Sequence, residues 1–460
     1  MASSSLPNVT PAVSIYNLPL MPPSTQNPVS YPHQPAPGAP LTRGPAAALL
    51  WGAFLGCSWT WIIGMIFPAM LLRDYGLPGW VAFATPNVLG AAAMGAVLYK
   101  PQWSVHLVQR HLIACHNFTV VTVAFHLYVI AWLFSSLFGL AAMPMMVIAI
   151  GLCVALGMRN RASAMLWVAA GVWLISIGCF VWAVSAGGSG GAGGVGADQG
   201  AWSLASWQPQ SPRLSERDLW YFLPCSVLGF LLCPYLDLTF HRARINTTPK
   251  TGVFAFALGF GGVFFTMIIF SLVYGAQLLP LLEGQPGAGL PRFWLIPLAI
   301  HLTLQAGFTI TVHVREAIED HASGGLASLP WMVAAGGIAI VMGFIAKLTG
   351  LPDPQTLGGA LGRLAGDLSW GETGYRAFLL LYATVFPAYV WLVMIPARRR
   401  LSPLGKELRN ALYAICCAIA YALGWMAFVL GRPGGVPIIF GVLIAARLAI
   451  EFLPRQKDGA

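Results

Sequence analysis

The chain has 460 residues, of which 57% are hydrophobic and only 9% are charged. Soluble domains carry about 25% charged residues, so this chain has too little polar surface to cover itself in water. Its formal net charge of +10 comes from Lys and Arg in short segments between apolar runs. Charges placed there set membrane orientation, so they do not indicate a nucleic-acid partner. Composition therefore predicts a chain whose main partner is the lipid bilayer.

Apolar runs long enough to cross the bilayer recur along the sequence, since about 20 residues in a helix span about 30 Å of hydrocarbon. These runs are continuously apolar, whereas the strands of a membrane barrel alternate apolar and polar residues. We therefore predict an all-α fold, a polytopic membrane helix bundle of about twelve transmembrane helices. The predicted spans are 46–72, 80–99, 117–140, 143–157, 163–184, 219–246, 252–279, 293–314, 329–349, 375–396, 411–430 and 434–453.

Two segments outside these spans divide the chain. The N-terminal segment is rich in Pro, Ser and Asn, which is typical of disorder. A second segment is rich in Gly and predicts a flexible linker after the fifth span. The predicted organisation is a disordered tail (1–43), a first five-helix half (44–184), the linker (185–218), a second five-helix half (219–396), two accessory helices (397–453) and a C-terminal tail (454–460).

The distribution of positive charge predicts the orientation in the cell membrane. If the N-terminus is cytoplasmic, the inner loops hold thirteen Lys and Arg residues and the outer loops and span ends hold eight. The three arginines at 398–400 form the strongest single anchor on the inner side. We therefore expect both termini to be cytoplasmic and the glycine-rich linker to lie outside.

The first predicted span is too long for one straight crossing and carries Gly52, Gly56, Thr60 and Gly64 at intervals of four. Small residues at this spacing are typical of a face for close helix packing. The alternative is an unwound helix at residues 56–58, about 15 Å into the membrane, where free carbonyls would bind a cation. Gly56 is accordingly a candidate ion-binding residue.

The sixth predicted span also carries helix-breaking residues: Gly229 near mid-depth, then Pro234 and Asp237. A proline inside a helix removes a backbone hydrogen bond and clashes with the preceding turn. Two interrupted helices at corresponding places in two halves are a sequence pointer to a transporter binding site.

Five spans, a linker and five more spans, with the first and sixth interrupted, resemble the inverted repeat of LeuT-fold transporters of the amino acid/polyamine/organocation superfamily. Residues 64–68 (Gly-Met-Ile-Phe-Pro), 73–76 (Arg-Asp-Tyr-Gly) and 83–87 (Phe-Ala-Thr-Pro-Asn), with Trp80, are similar to the first hairpin of sodium/solute symporters. The resemblance implies a secondary transporter that moves a small solute, with sodium or protons as the coupling ion and no other cofactor. It also implies that the eighth helix supplies a hydroxyl to a sodium site, which makes Thr309 a candidate ligand.

Placing ionisable and polar side chains inside a membrane span costs free energy, so such residues are candidates for function. Asp237 is the acidic residue deepest in the first ten spans, and it either pairs with the nearby Arg242 or Arg244 or binds a cation or proton. In the eighth span, polar residues recur every four positions and predict a stripe that faces the protein interior, as either a packing surface or a water-lined path. The stripe consists of His301, Gln305, Thr309 and His313.

The candidate binding residues follow from these irregular and polar positions, together with aromatic residues that could stack on a solute. We expect no catalytic residue and no metal site. The candidates for substrate binding are Cys57, Ser58, Trp59, Asn87, Tyr235, Asp237, His301 and Gln305, and those for ion binding are Gly56 and Thr309.

Two other functions compete with transport. Several of the nine histidines lie in or near spans, which allows a membrane redox or haem protein, although no adjacent His-His pair occurs. The third hypothesis is a non-transporting scaffold or sensor, which the short cytoplasmic loops disfavour. Walker, nucleophile-elbow and zinc-protease motifs are absent from the sequence, so we do not expect an enzyme.

Overall fold

The computed structural model describes residues 42–60, 62–139, 142–159, 162–188, 212–283, 292–319, 328–349, 368–396 and 406–452. Most of the predicted tail and linker, and the arginines at 398–400, lie outside these ranges.

The described residues form helices, with one isolated bridge between Thr42 and Thr247 as their β-type pairing. In the first half these are α1a (Pro45–Thr60), α1b (Ile62–Tyr75), α2 (Leu77–Val97), α3 (Pro101–Val129, continued by a π-helical turn at Ile130–Phe134 and by Ser135–Phe138), α4 (Ala142–Arg159) and α5 (Ala162–Gly188).

The remaining helices follow the linker. They are α6a (Glu216–Leu232), a 3-10 turn (Cys233–Leu236), α6b (Leu238–Ile245), α7 (Pro249–Leu258, a π-helical turn at Gly259–Phe264, then Phe265–Leu282), α8 (Arg292–Glu319), α9 (Ser328–Thr349), α10 (Trp370–Leu380, extended through Met394 by Leu381–Val385, Phe386–Tyr389 and Val390–Met394), α11 (Lys406–Phe428) and α12 (Val436–Phe452).

The prediction of an all-helical, polytopic membrane bundle is confirmed. Within the described ranges, nine helices are long and apolar enough to cross a membrane, and α1a with α1b makes a tenth. The other two predicted spans are α4, whose apolar part Val147–Arg159 is short, and α8, a 28-residue helix that carries the polar stripe. Large apolar side chains such as Trp167 and Leu174 on α5 and Trp331 on α9 are exposed, as a lipid-facing surface requires.

The first and sixth helices are both interrupted, and they run in opposite directions. Backbone hydrogen bonds join Thr42, at the start of α1a, to Asn246 and Thr248, just beyond α6b, at 3.0 and 3.2 Å. At the other end, Arg213 N lies 3.2 Å from the carbonyl of Arg73, so the start of α6a lies beside the end of α1b. The two broken helices are therefore antiparallel neighbours, as the resemblance to the LeuT fold predicts.

The break in the first helix does not fall where the sequence placed it. Residues 56–58 are helical, and α1a and α1b meet at an angle of 56° beyond Thr60. A Cβ on Gly56 would lie 2.5 Å from a methyl carbon of Val263 and 2.9 Å from the carbonyl of Gly259. Of the two alternatives for Gly56, unwinding is therefore wrong and close packing is correct, because the missing side chain lets α1a pack directly on the π-helical turn of α7.

Candidate functional site

The two helix breaks meet at a buried polar contact between α1a and α6b. Thr239 Oγ1 lies 3.2 Å from Ser58 Oγ, and both residues are fully or almost fully buried. Ser58 and Asp237, two of the predicted binding residues, therefore belong to one cluster, and Thr239 connects them.

Pro234 interrupts the sixth helix as predicted. Residues Cys233–Leu236 form a 3-10 turn, and Asp237 then adopts an extended backbone before α6b begins. Asp237 Oδ1 caps α6b by accepting a hydrogen bond from Thr239 N at 2.8 Å, and it also lies 2.7 Å from Thr239 Oγ1. Asp237 Oδ2 is buried and has no hydrogen-bond partner.

The two arginines near Asp237 are engaged elsewhere. Arg242 forms an ion pair with Glu316 of α8. Arg244 donates hydrogen bonds to the carbonyls of Leu98 and Tyr99 at the end of α2. The alternative in which Asp237 pairs with one of these arginines is therefore wrong, and its carboxylate faces the helix break without a partner arginine.

Two carbonyls in the last turns of α1a accept hydrogen bonds from side chains. Thr60 Oγ1 donates to the carbonyl of Gly56 at 2.5 Å, and Thr309 Oγ1 of α8 donates to that of Cys57 at 3.1 Å. The His313 ring hydrogen-bonds to the backbone of Ser58. Thr309 and Gly56 thus lie at the same helix end, where a cation would find oxygen ligands, although their role in ion binding stays a prediction.

Trp59, near the break, packs among other aromatic side chains. Its Nε1 donates to Asn87 Oδ1 at 2.8 Å, and its ring lies parallel to Phe118 at 6.4 Å and tilted to Phe240 at 5.1 Å. Asn87 Nδ2 is buried without a partner, so a donor remains free beside the ring. Trp59 and Asn87 form a second group of predicted residues.

A cavity of about 40 Å³ lies beside Trp59, between α1b, α6a and α10. Phe67, Phe222 and Tyr382 are among the residues that line it. This volume has room for a few water molecules but is far below the roughly 300–1,000 Å³ of sites for drug-sized ligands. The site as it stands is closed around its own side chains.

Four of the predicted residues are placed away from Asp237. The amide nitrogen of Gln305 lies 3.2 Å from Ser176 Oγ and 3.9 Å from Cys57 Sγ, between α1a, α5 and α8. His301 is buried one turn along α8, against Phe270, and neither ring nitrogen has a hydrogen-bond partner. Tyr235 is half-buried in the 3-10 turn, and its carbonyl accepts from His241 Nε2 at 2.9 Å.

The α8 stripe is buried, as its spacing predicts: His301, Gln305, Thr309 and His313 are each at most 1% exposed. Thr309 and His313 reach the backbone of Cys57 and Ser58 at the end of α1a, and Gln305 reaches the Cys57 thiol. His301 lies farther along α8, against Phe270.

Four buried charges close the site at the far end of α1b, the end that the positive charges of the sequence predict to be outside. Arg73 of α1b makes a bidentate contact with Glu372 of α10 at 2.6 and 2.9 Å, and Asp74 accepts from Arg376 at 2.5 Å. Arg376 also contacts Glu372, and Arg73 contacts Asp74. The four charges sum to zero, and each side chain has an oppositely charged partner within the cluster. We call this cluster the outer quartet, and it joins α1b to α10.

Sequence reasoning missed Thr239 and the outer quartet as parts of the site. Thr239 follows Asp237 by two residues, the spacing of an N-cap, which was a usable signal. Glu372 and Arg376 are an i, i+4 pair at the start of a span, and Arg73 and Asp74 are adjacent, but their mutual contact across 299 residues leaves no local pattern.

Among the described residues, no group of three or more His, Cys, Asp or Glu side chains is arranged to hold a metal ion. No protein-family model matches the sequence, and no curated protein matches it. A solved structure of Mhp1, a nucleobase-cation-symport-1 family transporter in a closed conformation with bromovinylhydantoin bound, is similar over 93% of this chain and 97% of that one, at 14% identity and a TM-score of 0.42. At this similarity, what Mhp1 binds gives no information about the solute or ion of this protein.

Proposed function

We propose that the protein is a secondary active transporter of a small polar solute, coupled to sodium or protons, in the cell membrane. One observation carries the proposal: two antiparallel broken helices meet at a buried carboxylate, Asp237, one oxygen of which has no partner. Discontinuous helices with a site at the bilayer midplane are how secondary transporters place polar groups and backbone inside the membrane.

Capping α6b occupies only one oxygen of the Asp237 carboxylate, so an ionised Asp237 would carry an uncompensated charge. An ionised group in a low-dielectric interior costs several kcal/mol even after relaxation. Asp237 is 0% exposed, and the nearby arginines are engaged with Glu316 and with backbone carbonyls. A bound cation or proton would offset this cost, which is the behaviour expected of a coupling site.

The solute would lie on the outer side of the same break. Trp59 and Phe118 supply ring faces there, and Asn87 Nδ2 supplies a free donor. Because the cavity holds only a few water molecules, a solute enters only if α1b and α10 separate, and the outer quartet is the contact that must break.

The test is uptake by purified protein in proteoliposomes, measured against a panel of small polar solutes under a sodium gradient, a proton gradient or neither. We expect accumulation of at least one solute under one gradient. Asp237→Asn keeps the shape of the side chain and should abolish gradient-driven accumulation while leaving expression and thermal unfolding nearly unchanged.

The matched control is Asp218→Asn, which changes a carboxylate in the outer cap of α6a and should transport like the wild type. Normal accumulation by Asp237→Asn would remove Asp237 from the mechanism. A wild type that accumulates no solute under any gradient would contradict transport itself.

A further inference from the structure

A chain of oxygen atoms runs from Asp237 into α1a. Asp237 Oδ1 lies 2.7 Å from Thr239 Oγ1, Thr239 Oγ1 lies 3.2 Å from Ser58 Oγ, and Ser58 Oγ lies 3.0 Å from the carbonyl oxygen of Leu55. All three distances fall within or near the range of O–H···O hydrogen bonds. The three side chains of the chain are at most 2% exposed.

The number of hydrogens does not match the number of contacts. Each hydroxyl has one hydrogen to donate and a carbonyl has none, so Thr239 and Ser58 together supply two hydrogens for three contacts. If Asp237 is ionised, one contact brings two oxygen lone pairs together without a hydrogen. If Asp237 carries a proton on Oδ1, each contact has its own hydrogen, and every bond points the same way, from the carboxyl group to the Leu55 carbonyl.

We propose that Asp237 Oδ1 binds a proton and that this proton is the coupling ion of the transporter. The role of this proton as the coupling ion rests on the proposed function, whereas its presence on Asp237 rests on the oxygen chain alone. The proton comes from water when the site is open and returns to water on the other side, so no other reactant is needed.

The groups that face Asp237 agree with a neutral site. His313 of α8, Cys115 of α3, Cys233 of the 3-10 turn and Tyr382 of α10 all interact with it electrostatically. Of these four, only His313 can become positively charged, and its Nδ1 has no hydrogen-bond partner. The site therefore provides no permanent positive charge to hold an ionised carboxylate.

The proton would also affect the contact between the two broken helices. Ser58 belongs to α1a and Thr239 to α6b, so the middle link of the chain joins them. Loss of the proton leaves one of the three links unmade and weakens the closed arrangement. Proton binding would thus favour closure, which is the differential effect that coupling requires.

Infrared difference spectroscopy of the purified full-length protein, recorded between acidic and alkaline buffers, tests the proton directly. We expect a carbonyl band of a protonated carboxyl group that is lost in Asp237→Asn and kept in Asp218→Asn. In Thr239→Val the band should persist at a higher wavenumber, because the carboxyl hydrogen has lost its acceptor. This second variant keeps the test valid if Asp237→Asn fails to fold.

Sodium chloride added at constant pH should leave the band unchanged. Absence of the band, its removal by sodium, or an unshifted band in Thr239→Val would each overturn the proposal. A band in a protein that accumulates no solute would contradict the proposed transport and keep the proton site. Sodium-driven accumulation without the band would support the proposed transport and contradict the proton site.

Discussion

A missing side chain at Gly56 sets how closely α1a approaches α7. The position of its absent Cβ lies 2.5–2.9 Å from Val263 and the Gly259 carbonyl. A real Cβ does not reach such distances without a shift of its neighbours, and here the neighbours are a branched side chain and backbone.

We therefore expect Gly56→Ala to destabilise the protein by about 1–3 kcal/mol, the usual cost of overpacking. Gly171 of α5 is the control, because nothing lies within 4 Å of the position of its Cβ. Gly171→Ala should be neutral or slightly stabilising, since Ala favours a helix by up to about 1 kcal/mol. Thermal unfolding in detergent measures both, and equal midpoints for the two variants would contradict the packing argument.

At the scale of elements, the outer quartet is what joins α1b to α10. Arg73 and Glu372 form a bidentate pair, and Asp74 and Arg376 complete a neutral set that is almost entirely buried. A buried set of this kind is strongly destabilised when one partner is lost, because the others remain buried and uncompensated.

Glu372→Gln should lower the free energy of unfolding by about 3–5 kcal/mol, since it leaves Arg73 and Arg376 with Asp74 as their one buried carboxylate and only the exposed Glu283 near Arg73. The matched control is Glu451→Gln in the i, i+4 pair with Arg447 on α12, where the carboxylate side chain is 24% exposed. Loss of that pair should cost about 0–1 kcal/mol. Thermal unfolding distinguishes them, and a Glu372 variant as stable as the Glu451 variant would show that the quartet is not holding the helices together.

At the scale of the whole molecule, the two ends of the bundle are distinct. Thr42 and the residues after α6b lie at one end, and Arg73 with the start of α6a lies at the other. The distribution of positive charge in the sequence predicts that the first of these ends is cytoplasmic. Lys100, between α2 and α3, should then be inside, and Arg217, at the start of α6a, outside.

Single cysteines at these two exposed positions, in a background without the native cysteines, test the orientation in intact cells. A membrane-impermeant thiol reagent should label Arg217→Cys and leave Lys100→Cys unlabelled until the membrane is opened. The opposite pattern would reverse the orientation without changing the fold.

Much of the architecture could be predicted because span length, continuous apolar character and proline are local properties. Pro234 marked the interruption of α6, and the i+4 spacing from His301 marked the buried face of α8. The position of the break in α1 could not be predicted, because small residues serve both close packing and unwinding. Contact with Val263, more than 200 residues away, decided between them.

The sequence predicted which residues belong to candidate sites, but it did not predict which of them lie together. Asp237, Ser58 and Thr309 do converge on the end of α1a, whereas the Cys57 thiol meets Gln305 and the His301 ring packs on Phe270. Side chains one residue apart on a helix point in directions about 100° apart, so Cys57 and Ser58 serve different neighbours. That separation depends on which helices surround α1a, which no local pattern records.

The packing of α1 on α7 also restricts how the protein can move. Both halves of the broken helix contact α7: Gly56 fits against Val263, Gly64 against Phe264, and the Met65 carbonyl accepts from Tyr274 Oη at 2.6 Å. A hinge at the break would have to slide both halves across this tightly fitted surface. Because such interfaces resist gradual deformation, the low-energy movement carries α1 and α7 together as one rigid body, and the relative displacement falls on the partners of α1 elsewhere, such as α10.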